Sequence, residues 1–213
     1  KAELEDLGVE VEVFNRGKIE ELKMGAFLAV AQGSVNEPKF IVMNYEGDPA
    51  SDEKLALVGK GLMFDTGGYS IKSGTGMVNM QGDMAGSAAV LGTMKALAKN
   101  KVKRNVVGIV AACENLISGE AYKPGDILVS MSGKTIEVLN TDAEGRVTLA
   151  DAIYYAATKL NSTKIVEIST LTGACITALG KEITGATSNN DDFYQEVHNA
   201  GLKAGELNWR LPI

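Results

Sequence analysis

Histidine is nearly missing from this 213-residue sequence: the single copy is His198. It lies in the polar helical stretch Gln195-Glu196-Val197-His198-Asn199 and reads as a surface residue. The plentiful Ser and Thr residues therefore lack a base partner, which argues against covalent serine catalysis. Cysteine is scarce too, with Cys113 and Cys175 both set in apolar runs. They read as buried structural thiols; a bridge between them stays open, but two cysteines do not make a disulfide scaffold. No run approaches the ~18 apolar residues that span a bilayer. The opening Lys-Ala-Glu-Leu-Glu-Asp has no signal-peptide character and no initiator Met, so the expectation is a piece of a longer, cytoplasmic protein. Positive charge is short as well: 21 Lys and Arg against 27 Asp and Glu leave a net charge of -6. The longest basic cluster, Lys99 to Arg104, is interrupted by Asn100 and Val102 and reads as a solvated helix end and loop. Neither nucleic acid nor a membrane surface is an expected partner, because both require clustered cations. Aromatics make up only 6 % of the chain.

Glycine, by contrast, is abundant at 24 residues, which implies tight turns and close backbone approaches. With 45 % hydrophobic residues the chain can bury a core, and one domain over residues 1–213 is expected. Strand patterns fall at Val9–Phe14, Lys39–Tyr45, Leu55–Phe64, Val106–Ala112, Lys134–Leu139, Ile165–Ser169 and Ile183–Ala186. Helix patterns fall at Lys18–Gln32, Gly86–Lys99, Val147–Leu160, Ala174–Leu179 and Asp192–Lys203, with Ala150, Ile153, Tyr154, Ala157 and Leu160 marking one face of the third. Alternation of the two predicts an α/β fold: a mixed, mostly parallel β-sheet sandwiched between α-helices in three layers. Ligands in such sheets collect beyond the carboxyl ends of the strands.

Two clusters sit at such ends. Asn140-Thr141-Asp142-Ala143-Glu144-Gly145-Arg146 lies between a strand pattern and a helix pattern. If it is extended, Asp142 and Glu144 project to one side, and two carboxylates so placed repel unless a cation neutralises them. The segment reads equally well as an acidic turn capping the following helix. The second cluster runs from Val58-Gly59-Lys60-Gly61-Leu62-Met63-Phe64-Asp65-Thr66-Gly67-Gly68 through Lys72 to Met80-Gln81-Gly82-Asp83-Met84-Ala85-Gly86. Asp65 at a strand end and Asp83 at a helix entrance have the positions of oxygen ligands, although a turn residue and an N-cap would look the same. Four carboxylates and two lysines around glycine turns, with almost no histidine, suit a hard or borderline divalent ion: Zn²⁺, Mn²⁺ or Mg²⁺. Two-metal phosphoester hydrolysis would use similar carboxylates, but it recruits histidines and basic phosphate clamps that are sparse here.

The segment Asn140–Arg146 resembles the signature of the leucyl aminopeptidase (cytosol aminopeptidase) family. Val58–Gly68, the Met80–Gly86 segment, Thr170-Leu171-Thr172-Gly173-Ala174 and Trp209-Arg210-Leu211-Pro212 resemble that family in matching order. The resemblance implies a dinuclear metallo-aminopeptidase acting on peptides with a free N-terminus, and a homo-hexamer. It assigns Asp65, Asp142 and Glu144 to one ion and Lys60, Asp65, Asp83 and Glu144 to the other, Zn²⁺ or Mn²⁺ with Mg²⁺ as an option in one site. Lys72 would stabilise the oxyanion, and Arg146 would hold a bicarbonate acting as general base. Met80, Thr170 and Leu171 would line the substrate site, where Asp83 meets the α-amine. The chain departs from the family pattern at Thr66, Tyr69, Ser73-Gly74 and Val147, none of which removes a ligand. The resemblance also implies an N-terminal domain and a C-terminal portion beyond these residues.

Overall fold

A computed structural model describes every residue from Lys1 to Ile213. In chain order the elements are α1 (Ala2–Glu5), β1 (Glu10–Phe14), α2 (Arg16–Glu21), α3 (Gly25–Ala31), β2 (Lys39–Glu46) and β3 (Lys54–Asp65). There follow α4 (Gly74–Met77), α5 (Ala85–Lys99), β4 (Asn105–Asn115), β5 (Ile127–Val129), β6 (Thr135–Glu137) and α6 (Glu144–Thr158). The chain ends with β7 (Lys164–Ile168), α7 (Gly173–Leu179), β8 (Thr184–Ala186), α8 (Asp191–Ala204) and β9 (Asn208–Arg210). Single 3-10 turns occupy Met80–Gly82 and Thr141–Ala143. The elements fall into two compact units, Lys1–Leu171 and Thr172–Ile213.

The first unit is built on a five-stranded sheet in the order β1-β2-β4-β3-β7. Both β1 and β4 pair antiparallel with β2, while β3 pairs parallel with β4 and β7, so β2 alone opposes the other four strands. This is the expected mixed, mostly parallel arrangement. Strand β4 shows how its near-continuous apolar run feeds two cores. Val107, Ile109, Ala111 and Cys113 point into the cluster shared with Phe27, Val30 and Tyr155 of α3 and α6. Val106 and Val110 point the other way, into the cluster with Leu4, Val90 and Met94 of α1 and α5. Alternate side chains of one strand thus face opposite helical layers, giving three layers. Two glycines set the distance between α5 and the sheet: a Cβ on Gly86 would lie 2.0 Å from the Ile168 carbonyl oxygen, and one on Gly59 2.7 Å from that of Gly86.

Several local expectations need correction. The predicted helix Lys18–Gln32 is broken, because Lys23 turns left-handed (φ 59°) and separates α2 from α3. The break lets Ile19 and Met24, five positions apart, both reach the core at 0 % exposure. The helix expected from Val147 begins at Glu144, and its buried stripe lies about one residue from the expected one. Val147, Thr148, Asp151, Ala152, Tyr155 and Ala156 are buried, whereas Ile153, Tyr154 and Ala157 face outward. Strand β6 is shorter than its apolar pattern and forms a separate antiparallel ribbon with β5, which has too few residues to show a period in sequence. Strand β8 lies outside the main sheet, pairing parallel with β9 in the second unit. Both cysteines are free; Cys113 is buried, but Cys175 is only half-buried. His198, also half-buried, meets the Asn208 side chain at 3.0 Å and stacks on Tyr194. No helix is long and apolar enough to cross a membrane.

Asp151 is a buried carboxylate that the sequence reading left unnoticed. Met24, at the entrance of α3, offers no side-chain cap, so an acceptor 124 positions from Phe27 does so instead. Asp151 Oδ2 accepts from the Phe27 amide at 2.9 Å and Oδ1 from the Met131 amide at 2.7 Å. Burial raises its pKa despite these donors. A carboxyl whose pKa is raised by folding weakens stability as pH climbs from its unfolded value through its folded value. Asp151→Asn should remove that slope. At neutral pH it should cost about 1–3 kcal/mol in chemical denaturation, because an amide NH₂ would then face a backbone donor.

Candidate metal centre

A bulge in β3 sets the geometry of the site. Lys60 and Asp65 are five residues apart, and in a regular strand they would face opposite sides of the sheet. The pairing with β4 shifts between Leu62 and Phe64, so Lys60 faces Ala111, Leu62 faces Cys113, and Asp65 faces Asn115. Met63 is the extra residue, and it puts Asp65 on the same face as Lys60. Bulges beside active sites commonly re-aim a side chain in this way. Beyond Asp65 the chain turns at Gly67 (φ 85°) and Gly68 (φ 61°), a left-handed pair that side chains disfavour.

Two lysines each span two carboxylates. Lys60 Nζ, 3 % exposed as a residue, lies 2.8 Å from Asp83 Oδ2 and 2.7 Å from Glu144 Oε1, and donates to the Thr170 carbonyl at 3.0 Å. Lys72 Nζ lies 2.9 Å from Asp65 Oδ2 and 2.6 Å from Asp142 Oδ1. Burial alone would push both ammonium groups down. For Lys60 the Glu144 and Asp83 carboxylates outweigh it, and for Lys72 Asp142 and Asp65 do, so both pKa values sit above the ordinary lysine value. Burial, with the Asp65 and Asp83 charges adding to it and Lys60 opposing it, pushes Glu144 up to about 7.

The sequence-derived residues assemble, though not as an extended motif. Thr141–Ala143 is a 3-10 turn running into α6, so Asp142 and Glu144 reach different lysines instead of lying side by side on a strand. Glu144 is 1 % exposed and Asp83 7 %. Asp83 does not cap α5, whose N-cap is Met84; its Oδ1 accepts instead from the Thr170 hydroxyl at 2.7 Å. Arg146 is exposed on the first turn of α6, Met80 is half-buried on its 3-10 turn, and Thr170 and Leu171 are exposed after β7. Sequence reasoning missed the support behind these acids. Asn115, at the end of β4, donates to Asp65 Oδ1 and to the Thr141 carbonyl, which also accepts from the Tyr122 hydroxyl at 2.9 Å.

The donor set fits a divalent cation. Carboxylate oxygens of Asp65, Asp83 and Glu144 lie within 4.8 Å of one another, all on buried residues. Oxygens sharing one ion at about 2.0–2.2 Å are at most about 4.4 Å apart, so closing this group requires only tenths of an ångström. Asp83 Oδ2, Asp142 Oδ1 and Glu144 Oε1 are buried with no well-angled hydrogen bond, although each touches a lysine ammonium. Oxygens so placed have lone pairs left for an ion. Lys60, neutral once it gives up its proton, would complete the set around Asp83 and Glu144, and Asp142 lies across Lys72 from Asp65.

A sequence model described as the cytosol aminopeptidase family, catalytic domain, matches residues 1–213. The chain is 61 % identical over 212 residues to a probable cytosol aminopeptidase of Clostridium tetani, covering 100 % of this chain and 44 % of that protein. It is 58 % identical over 212 residues to the protein of the same description from Treponema denticola, again covering 100 % of this chain and 44 % of the relative. A Clostridium perfringens protein, likewise described, is 55 % identical over 206 residues, 96 % of this chain and 42 % of its own length. The chain thus spans less than half the length of these curated relatives.

Gly145 tests how closely Lys60 is held. A Cβ there would lie 2.7 Å from Lys60 Cε and 2.9 Å from Nζ. Gly145→Ala should therefore push the ammonium off Glu144 and weaken divalent-metal binding by at least about 10-fold in a calorimetric titration, with the fold retained by circular dichroism.

Proposed function

The chain belongs to the cytosol aminopeptidase family, and from that premise we propose that it carries the catalytic centre of a metal-dependent aminopeptidase removing N-terminal, Leu-like residues from peptides. The observation that carries this reading is the convergence of Asp65, Asp83 and Glu144 oxygens within 4.8 Å, with Lys60 against two of them. Lys60, Asp65, Asp83, Asp142 and Glu144 would hold two divalent ions, Zn²⁺ or Mn²⁺, with Mg²⁺ as an option in one site. When bound, such ions supply Lewis acidity and an activated water.

The chain's own residues do the rest of the work. Asp83, negatively charged and held by Thr170, meets the free α-amine of the substrate, which restricts cleavage to the N-terminus. Lys72 has three N–H donors, and its ammonium lies against Asp65 and Asp142. An N–H not turned to those acids is available to the scissile carbonyl oxygen as it gains charge. Arg146, exposed at the start of α6, would hold a bicarbonate there, which would supply a general base. Met80 and Leu171 offer apolar surface for the side chain of the departing residue, beside Thr170. Residues 1–213 belong to the catalytic domain in this reading, and the whole protein is a cytoplasmic homo-hexamer.

Turnover of a leucyl amide by the purified protein with added Mn²⁺ or Zn²⁺ provides the test. A chelator should abolish it, and Asp142→Ala should lower kcat/KM by more than about 100-fold. Lys72→Ala should lower kcat by about 100- to 1,000-fold with KM little changed, the mark of an interaction made mainly in the transition state. Phosphatase turnover without amide cleavage would overturn the reading. Light scattering of the intact full-length protein should return a hexamer mass, and a monomer would contradict the assembly.

A further inference from the structure

Asn115 is 0 % exposed at the end of β4, and its side chain lies between two of the acidic residues without being one of them. Strand pairing sets it opposite Asp65. One amide hydrogen goes to Asp65 Oδ1 at 2.8 Å, the other to the Thr141 carbonyl at 3.0 Å, immediately before Asp142. The amide could not turn over, because its oxygen would then face two acceptors. Asp65 Oδ1 also accepts from the Gly67 amide at 2.8 Å, so that oxygen is occupied twice, and Oδ2 is left facing Lys72 at 2.9 Å. Asn115 Oδ1 is itself buried without a partner, on the side where a Cβ at Gly68 would come within 3.1 Å. The side chain therefore spends both donors on the acidic site, and its own oxygen gets no protein hydrogen bond in return. Ordinary structural asparagines satisfy both ends.

We infer that Asn115 is a positioning residue for the metal centre: its two amide hydrogens lock Asp65 and the Thr141–Asp142 turn together, presenting Asp65 Oδ2 and the Asp142 carboxylate as one unit. This rests on the metal-dependent reading above. Residues that orient ligands in this way typically change metal affinity 10- to 100-fold when removed. Two substitutions separate donation from packing. Asn115→Ala removes both hydrogen bonds, and Asn115→Asp keeps the shape while turning an oxygen toward two acceptors. Asn115→Ser keeps a single donor and serves where the others do not fold.

The experiment is a titration of the metal-stripped protein and its variants with Mn²⁺ by calorimetry, and with Co²⁺ followed by its visible absorption, beside thermal melts without metal. The expected result is affinity for at least one ion weakened about 10- to 100-fold in Asn115→Ala and at least as much in Asn115→Asp, with a changed Co²⁺ spectrum. Asn115→Ser should show a smaller loss at the same ion. Unchanged affinity and spectrum in variants that only melt earlier would reduce Asn115 to a packing residue and overturn the inference, leaving the metal-dependent reading intact. Failure of the unsubstituted protein to bind either ion would overturn both.

Discussion

Four carboxylates gathered near the end of one sheet repel each other, and the repulsion grows as water is excluded. Asp65, Asp83 and Glu144 are each under a tenth exposed, so simple hydration cannot relieve them. Moving one unpaired carboxylate into a protein interior costs several kcal/mol even after relaxation. The protein answers with two ammonium groups, Lys60 and Lys72, each placed between two of the acids. Two positive charges do not balance four negative ones, and the rise of Glu144 to about 7 reflects its burial first, with the Asp65 and Asp83 charges adding to it. A centre so arranged is electrostatically short of positive charge, and that shortage is what would draw a divalent cation to it.

Holding such a centre together demands close backbone approaches, and several of the chain's glycines supply them. Gly86 and Gly59 let α5 press onto β3, bringing Asp83 toward Lys60. Gly145 lets the start of α6 come so near Lys60 that a methyl group would collide with its Cε. Gly67 meets Asp142, since a Cβ there would lie 2.8 Å from Oδ1. The acids come from three places in the chain, and at Asp83, Asp142 and Glu144 a missing side chain nearby supplies the clearance. The bulge at Met63 then chooses the face: without that one residue Asp65 would point away from Lys60.

Much of this was legible in the residues themselves. A strand pattern closing on Asp65-Thr66-Gly67-Gly68 and a helix entrance preceded by Asp83 marked positions where side chains reach beyond a sheet, and the acids there do meet. The face of α6 was less legible, because Ala150, Ile153, Tyr154 and Ala157 form as good an apolar stripe as the buried one. What decides between them is the presence of Thr148 and Asp151 in the buried stripe, and polar residues look like a surface until their partners are known. Asp151 finds its partners in Phe27 and Met131, and Asn115 finds its own in Asp65 and Thr141; neither pairing can be seen from local periodicity. The bulge at Met63 leaves no mark in sequence, since Leu62-Met63-Phe64 is apolar in either register.

The scarcity of histidine would also shape the chemistry of such a centre. Imidazole ligands would bind a metal as neutral groups and leave the ion's charge largely undiminished, whereas carboxylates cancel much of it. A centre with four carboxylates and one lysine would leave its ions weakly electrophilic if nothing else carried positive charge. Lys72 and Arg146 would restore what the acids remove, one toward the substrate's carbonyl oxygen and one toward an anion at the start of α6. The same oxygen-rich set discriminates little by softness, so the choice among Zn²⁺, Mn²⁺ and Mg²⁺ falls to geometry and supply. Geometry here is in the hands of residues that touch no ion, and the groups that hold Asp65 and Asp142 in place would bear on metal choice as directly as the acids themselves.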